Sequence, residues 1–145
     1  MLSQLDHIGI AVKNLPQALE VFEKGLGLKC ERIEDVPSQQ VRVAFLKIGE
    51  ARLELIQPIQ GQGPVAKFIE TRGEGIHHLA FATDDLESQI AQARNAGCRM
   101  IHETPTTGAH GKEIAFAHPS STQGVLVEFC SSGTPAESAP GSRCA

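Results

Sequence analysis

Two stretches decide the reading of this chain: Asp6-His7-Ile8-Gly9-Ile10-Ala11-Val12 and His77-His78-Leu79-Ala80-Phe81-Ala82-Thr83. Each alternates with the two-residue period of a half-buried strand, and a shift of 71 residues lays the first on the second. The same shift carries Asn14-Leu15 onto Asp85-Leu86, each at the head of a helix-like segment. Leu15, Ala18, Leu19 and Phe22 fall at helical spacing up to about Lys24, where Gly25-Leu26-Gly27 gives a stop. Leu86, Ile90 and Ala93 do the same in the second half, with Asp84 or Asp85 as N-cap and Ala96-Gly97 as the end. Three strand-like runs follow each helix: Leu28–Glu34, Gln40–Ile48 and Ala51–Gln57, then Arg99–Glu103, Lys112–His118 and Gly124–Cys130.

The order is β-α-β-β-β, twice, which predicts an α+β fold of two tandem modules with a cleft between curved mixed sheets. The expected organisation is one domain over residues 1–130. Module 1 spans about 5–57, a linker 58–74 carries a short amphipathic helix at Val65–Thr71, and module 2 spans about 75–130. The Ser/Gly/Pro/Ala-rich residues 131–145 read as a disordered tail.

The chain's 145 residues hold 13 Lys+Arg against 17 Asp+Glu, a formal charge of −4. This mild acidity, with no basic cluster, argues against a nucleic-acid partner. No run approaches the roughly 18–20 apolar residues that span a bilayer, and Met1-Leu2-Ser3-Gln4-Leu5-Asp6 has no signal-peptide character. The expected location is the cytoplasm, or a matrix-like compartment if a transit peptide has been removed. The four cysteines, Cys30, Cys98, Cys130 and Cys144, form no C-x-x-C pair. The chain reads as reduced, with the first three as small apolar fillers.

Alternation also assigns faces. On the first strand His7 shares a side with Gly9 and Ala11, and on its repeat His78 shares one with Ala80 and Ala82. The small face leaves room that something else must fill. His77 lies on the other face and reads as structural. On the closing strands Glu54 opposes Leu53 and Leu55, and Glu128 opposes Val127 and Phe129. Each half therefore offers one His on its first strand and one Glu on its last, 47 residues apart in the first half and 50 in the second. Four such residues recurring at matched positions point to a divalent metal site of nitrogen and oxygen ligands, suited to Co²⁺, Mn²⁺, Ni²⁺, Fe²⁺ or Zn²⁺.

At these residues the sequence resembles the vicinal oxygen chelate superfamily, and within it the methylmalonyl-CoA epimerase family. The resemblance is carried by Leu53-Glu54-Leu55-Ile56-Gln57-Pro58, Gly73 to Phe81, Gly108-Ala109-His110-Gly111-Lys112, His118-Pro119-Ser120-Ser121-Thr122 and Gly124-Val125-Leu126-Val127-Glu128. It implies proton transfer at C2 of a CoA thioester, through an enolate stabilised by one divalent ion, with Co²⁺ favoured. It places the metal ligands on His7, Glu54, His78 and Glu128, and makes Glu128 one catalytic base. Some family members carry Glu where this chain has Val43, and valine cannot transfer a proton. Gln40, His110, Lys112, Ser120, Ser121 and Thr122 are the expected substrate contacts, and a homodimer is the expected assembly. Two rival readings share the fold: glyoxalase I chemistry on a glutathione thiohemiacetal, and a non-catalytic small-molecule-binding protein, against which the His/Glu quartet counts.

Overall fold

The computed structural model describes residues 1–132. The chain divides into two compact units, one of Ile8–His77, the other of Met1–His7 together with the described residues from His78 onward. Strands β1 (Leu2–Ala11) and β5 (Gly75–Thr83) are each divided between the two.

In the Ile8–His77 unit, β1 leads to α1 (Leu15–Glu20), and β2 (Lys29–Val36), β3 (Val41–Ile48) and β4 (Ala51–Pro58) follow. The strand order is β2-β3-β4-β1. Asn14 caps α1 by accepting a hydrogen bond from the Gln17 N–H at 3.0 Å, and Pro16 sits in the first turn, where its missing N–H costs nothing. Beyond Glu20 the chain widens into a π turn over Val21–Gly25, with the Leu26 N–H reaching the Val21 carbonyl. The predicted stop holds: Gly27, at φ 73°, donates to the Glu23 carbonyl and closes the helix.

The strand face carrying Ala44, Leu46 and Leu55 packs on Leu15 and Leu19 of α1, with Val12 and Cys30 completing this core. Burying each large aliphatic side chain there contributes about 1.5–3 kcal/mol. The opposite face holds Phe45 directly across from Glu54, and Val43 across from Ile56. Helix α2 (Pro64–Arg72) follows β4, close to the expected short helix.

In the other unit, α3 (Leu86–Asn95) is capped by the Asp85 carboxylate, which accepts from the Ser88 N–H at 3.0 Å. The hydrogen bonds from the Ser88 side chain and backbone hold the Asp85 carboxyl below the usual carboxylate range. Three strands follow: β6 (Thr106–Thr107), β7 (Glu113–Ala117) and β8 (Val127–Ser131). β8 runs parallel to β5 and antiparallel to β7, with β6 beyond β7. Leu86, Ile90 and Ala93 of α3 cover Ala115 and Phe129. Ala82, Ile114, Phe116 and Cys130 form a separate cluster.

Several expectations need correction. Arg99–Glu103 is not a strand. It makes one bridge, Met100 to Ala117, flanked by two hydrogen bonds, and Pro105 then removes a backbone donor. β8 begins at Val127 rather than Gly124, because Gln123 and Gly124 hold φ of 54° and 87° and close a turn onto Thr122 and Pro119. Ser131, expected in the tail, ends β8, and the Ser132 N–H donates to the Thr83 carbonyl at 2.9 Å; the rest of that expectation lies outside the described residues. Cys98 and Cys130 are free thiols, whereas Cys30, though buried, is disulfide-bonded. A pairing without a local motif leaves no spacing signal to read. Among the described residues no helix is long and apolar enough to cross a membrane.

Candidate metal centre

His7, near the middle of β1, and His78, on β5, both belong to the unit that also contains β8. Small residues make the space around them. Glu128 on β8 lies in register between Ala80 of β5 and Phe116 of β7, and His78 stands two residues before Ala80 on the same face. The methyl group of Ala80 leaves the volume that the two imidazoles and the carboxylate occupy. The His78 ring meets Phe116 edge-on at 5.5 Å and His7 edge-on at 5.1 Å. His7, His78 and Glu128 are 6%, 5% and 5% exposed.

Their donor atoms converge. His7 Nε2 lies 3.0 Å from His78 Nε2 and 3.1 Å from Glu128 Oε2, and His78 Nε2 is 3.9 Å from Glu128 Oε1. The other ring nitrogen of His7, Nδ1, is 2.7 Å from Asp6 Oδ2. An ionised carboxylate can only accept, so Nδ1 carries the proton and Nε2 presents its lone pair. Two imidazole nitrogens and a carboxylate thus face one another in a buried space. Glu128 Oε2, although close to His7, has no hydrogen-bond partner of proper geometry. A buried charged acceptor left so costs at least about 1–3 kcal/mol. Cation–donor bonds of about 2.1 Å at right angles would set neighbouring donors roughly 3 Å apart, close to the two separations at His7 Nε2. The set therefore fits a divalent cation. The nearby Cys130 thiol is pushed up to about 12, chiefly by burial and then by the Asp6 and Glu128 charges.

Glu54 is buried on β4, in the Ile8–His77 unit, opposite Phe45. His77, the last residue of that unit, packs edge-on against Phe68 of α2 at 4.9 Å. Burial lowers its imidazole to about 4, so it is neutral, in keeping with a structural role. Gln40 occupies a left-handed position at φ 55° after Pro37–Gln39, its side chain lying over Gly63. Val43 is buried on β3 and registered against Glu34 of β2 and Ile56 of β4.

The three hydroxyls of the turn over residues 119–122 are engaged locally. Ser120 Oγ pairs with His118 Nδ1 at 2.7 Å, and Ser121 Oγ donates to the His118 carbonyl while accepting from the Arg99 N–H. Thr122 Oγ1 bonds the Val125 carbonyl. His110 has φ 59° inside a tight turn over Ala109–Gly111, closed by the Gly108 N–H donating to the Lys112 carbonyl at 2.8 Å. Lys112 Nζ reaches Asp6 Oδ1 at 3.6 Å. Asp6 is the residue that strand reading missed. Its only sequence signal is a carboxylate within the first strand, between Leu5 and Ile8.

Gly108 anchors this loop. A Cβ there would lie 2.8 Å from Ile114 Cδ1 and 2.9 Å from its Cγ2, and Ile114 is itself buried. Gly108→Ala should therefore destabilise the protein by about 1–3 kcal/mol, read as a lower midpoint in thermal denaturation.

Fold and site together define a class. The model of the glyoxalase/bleomycin resistance protein/dioxygenase superfamily matches residues 6–116, and the chain belongs to that superfamily, with the α+β fold its repeat predicts. Within it, the ethylmalonyl-CoA/methylmalonyl-CoA epimerase of Cereibacter sphaeroides is 33% identical over 89% of this chain and 98% of its own length. The mitochondrial methylmalonyl-CoA epimerase of Homo sapiens is 31% identical over 88% of this chain and 73% of its own. A variant of the Streptomyces coelicolor methylmalonyl-CoA epimerase in complex with 2-nitronate-propionyl-CoA superposes with a TM-score of 0.88 at 35% identity, covering 97% of this chain and 100% of that one. The chain belongs to the methylmalonyl-CoA epimerase family.

Proposed function

We propose that this protein interconverts the (R) and (S) forms of methylmalonyl-CoA by moving the proton on C2. The observation that carries the proposal is the convergence of His7, His78 and the Glu128 carboxylate, whose Oε2 makes no hydrogen bond, in a chain with relatives that are epimerases of that substrate. The proposed ligand set is His7, His78 and Glu128, joined by the buried Glu54, and the ion we favour is Co²⁺. Once bound, such an ion supplies a Lewis acid that stabilises the negative charge developing on the thioester oxygen.

The protein's own groups supply the rest. Glu128 takes the C2 proton: the C2–H bond breaks, an O–H bond forms on the carboxylate, and the electron pair moves into the enolate. Returning a proton to the opposite face of C2 gives the other stereoisomer. Val43 carries no group that could do so, so the second proton carrier lies elsewhere. The water-poor surroundings set by Phe116 and Ala80 strengthen the electrostatic interactions involved. The substrate contacts we propose are Gln40, His110, Lys112, Ser120, Ser121 and Thr122; the assembly is a homodimer and the location cytoplasmic.

The test is deuterium uptake at C2 of methylmalonyl-CoA in D₂O, followed by mass spectrometry with Co²⁺ and with EDTA. Metal-dependent uptake with loss of optical purity is expected. No uptake by Co²⁺-loaded protein, together with turnover of a glutathione thiohemiacetal, would replace the proposal with glyoxalase chemistry.

A further inference from the structure

Asp6 and Lys112 touch the proposed metal centre without belonging to its ligand set, and both are nearly enclosed. Asp6 and His7 side chains are each 8% exposed, and that of Lys112 is 14%. One carboxylate bridges two partners: Asp6 Oδ2 accepts from His7 Nδ1 at 2.7 Å, and Asp6 Oδ1 pairs with Lys112 Nζ at 3.6 Å. All three residues belong to one compact unit.

From this geometry we infer that Asp6 is a positioning residue for His7, and that Lys112 sets how strongly Asp6 acts. The inference rests on the metal reading above and deepens it. A carboxylate on the outer nitrogen of a ligating imidazole fixes the tautomer and ring orientation and makes the inner nitrogen a stronger donor. Asp6 does this for His7. The ammonium of Lys112 draws on the same carboxylate and offsets its charge. It thereby moderates the donor strength of His7 and keeps the bound ion Lewis-acidic enough to polarise a thioester.

Lys112 is held at its post by backbone rather than chance. The loop from Gly108 closes on the Lys112 carbonyl, and Gly108 sits against Ile114 where no side chain fits. This role is additional to the substrate contact proposed for Lys112, and metal affinity measured without substrate reads it alone.

The test is Co²⁺ binding to EDTA-dialysed, full-length protein, by calorimetry and by the visible absorption of bound Co²⁺. Asp6→Asn, Lys112→Met and the double variant are compared with wild type. Asp6→Asn should weaken Co²⁺ binding roughly 10–100-fold and shift the absorption bands, while its thermal transition stays cooperative. Lys112→Met should tighten binding several-fold, and this gain should vanish in the Asp6→Asn background, since the two act through one carboxylate. Wild-type affinity in Asp6→Asn would overturn the inference. So would a Lys112→Met protein with unchanged Co²⁺ affinity and a raised KM. Should Asp6→Asn fail to fold, Lys112→Met alone decides. Absence of Co²⁺ binding by wild type is a separate result: it removes the metal reading and the inference together.

Discussion

Glu128→Gln should slow C2 proton exchange roughly 10²- to 10⁴-fold, the range general-base catalysis commonly supplies. The substitution is close to isosteric, so the slot between Ala80 and Phe116 stays filled and the β8 register is undisturbed. What changes is chemistry: an amide nitrogen replaces one carboxylate oxygen, and an amide cannot hold the C2 proton. The loss should be unequal for the two substrate stereoisomers, because a single base faces one side of C2. Deuterium washout from separately prepared (R) and (S) methylmalonyl-CoA under single-turnover conditions measures both rates. Full exchange in the variant would remove Glu128 from the role of base. Equal slowing for both stereoisomers would mean that it acts through the ion alone.

Metal removal is expected to have the second large effect, on activity and stability together. A ligand that binds only the folded state stabilises it by RT ln(1 + [L]/Kd), about 4 kcal/mol at a thousand-fold excess over Kd. For a chain of this size each kcal/mol shifts the melting midpoint by roughly 2–4 °C. Dialysis against EDTA should therefore lower the midpoint by about 10 °C, and added Co²⁺ should restore it. The sign follows from burial: His7, His78 and Glu128 are almost wholly enclosed, and a cation held among them binds the folded chain and not the unfolded one. A midpoint indifferent to EDTA would argue that the three are held by hydrogen bonding alone.

Much of this was legible in the sequence, for a physical reason. Placing the same polar residue at the same strand position in two copies is hard to obtain by chance, and a strand's two-residue period converts position directly into face. His7, His78 and Glu128 follow from that, as does the core of Leu15, Leu19, Leu46 and Leu55. Asp6 was not legible, because alternation sends it to the face opposite His7, whereas its carboxylate reaches the ring of its own neighbour. Nor were the local bonds of Ser120, Ser121 and Thr122 legible, since sequence does not tell which acceptor of its own turn a hydroxyl meets. The start of β8 was misplaced because the left-handed backbone at Gln123 carries no side-chain signature.

The division of β1 has a consequence for how the protein is made. Met1–His7 belongs to a compact unit whose remaining residues begin at His78, and His7 and Glu128 are 121 positions apart. At roughly 5–20 residues per second, the first strand emerges from the ribosome some 6–24 s before the last one is synthesised. Met1–His7 is thus made well before the strand that completes its unit, and the ring of His7 waits for that strand to meet Glu128. Contacts so distant in sequence slow the final step of folding. Before β5 is made the chain carries only one of the two imidazoles, and Glu128 comes last of the proposed ligands. On the proposed ligand set, the complete site therefore awaits β8, which brings Glu128.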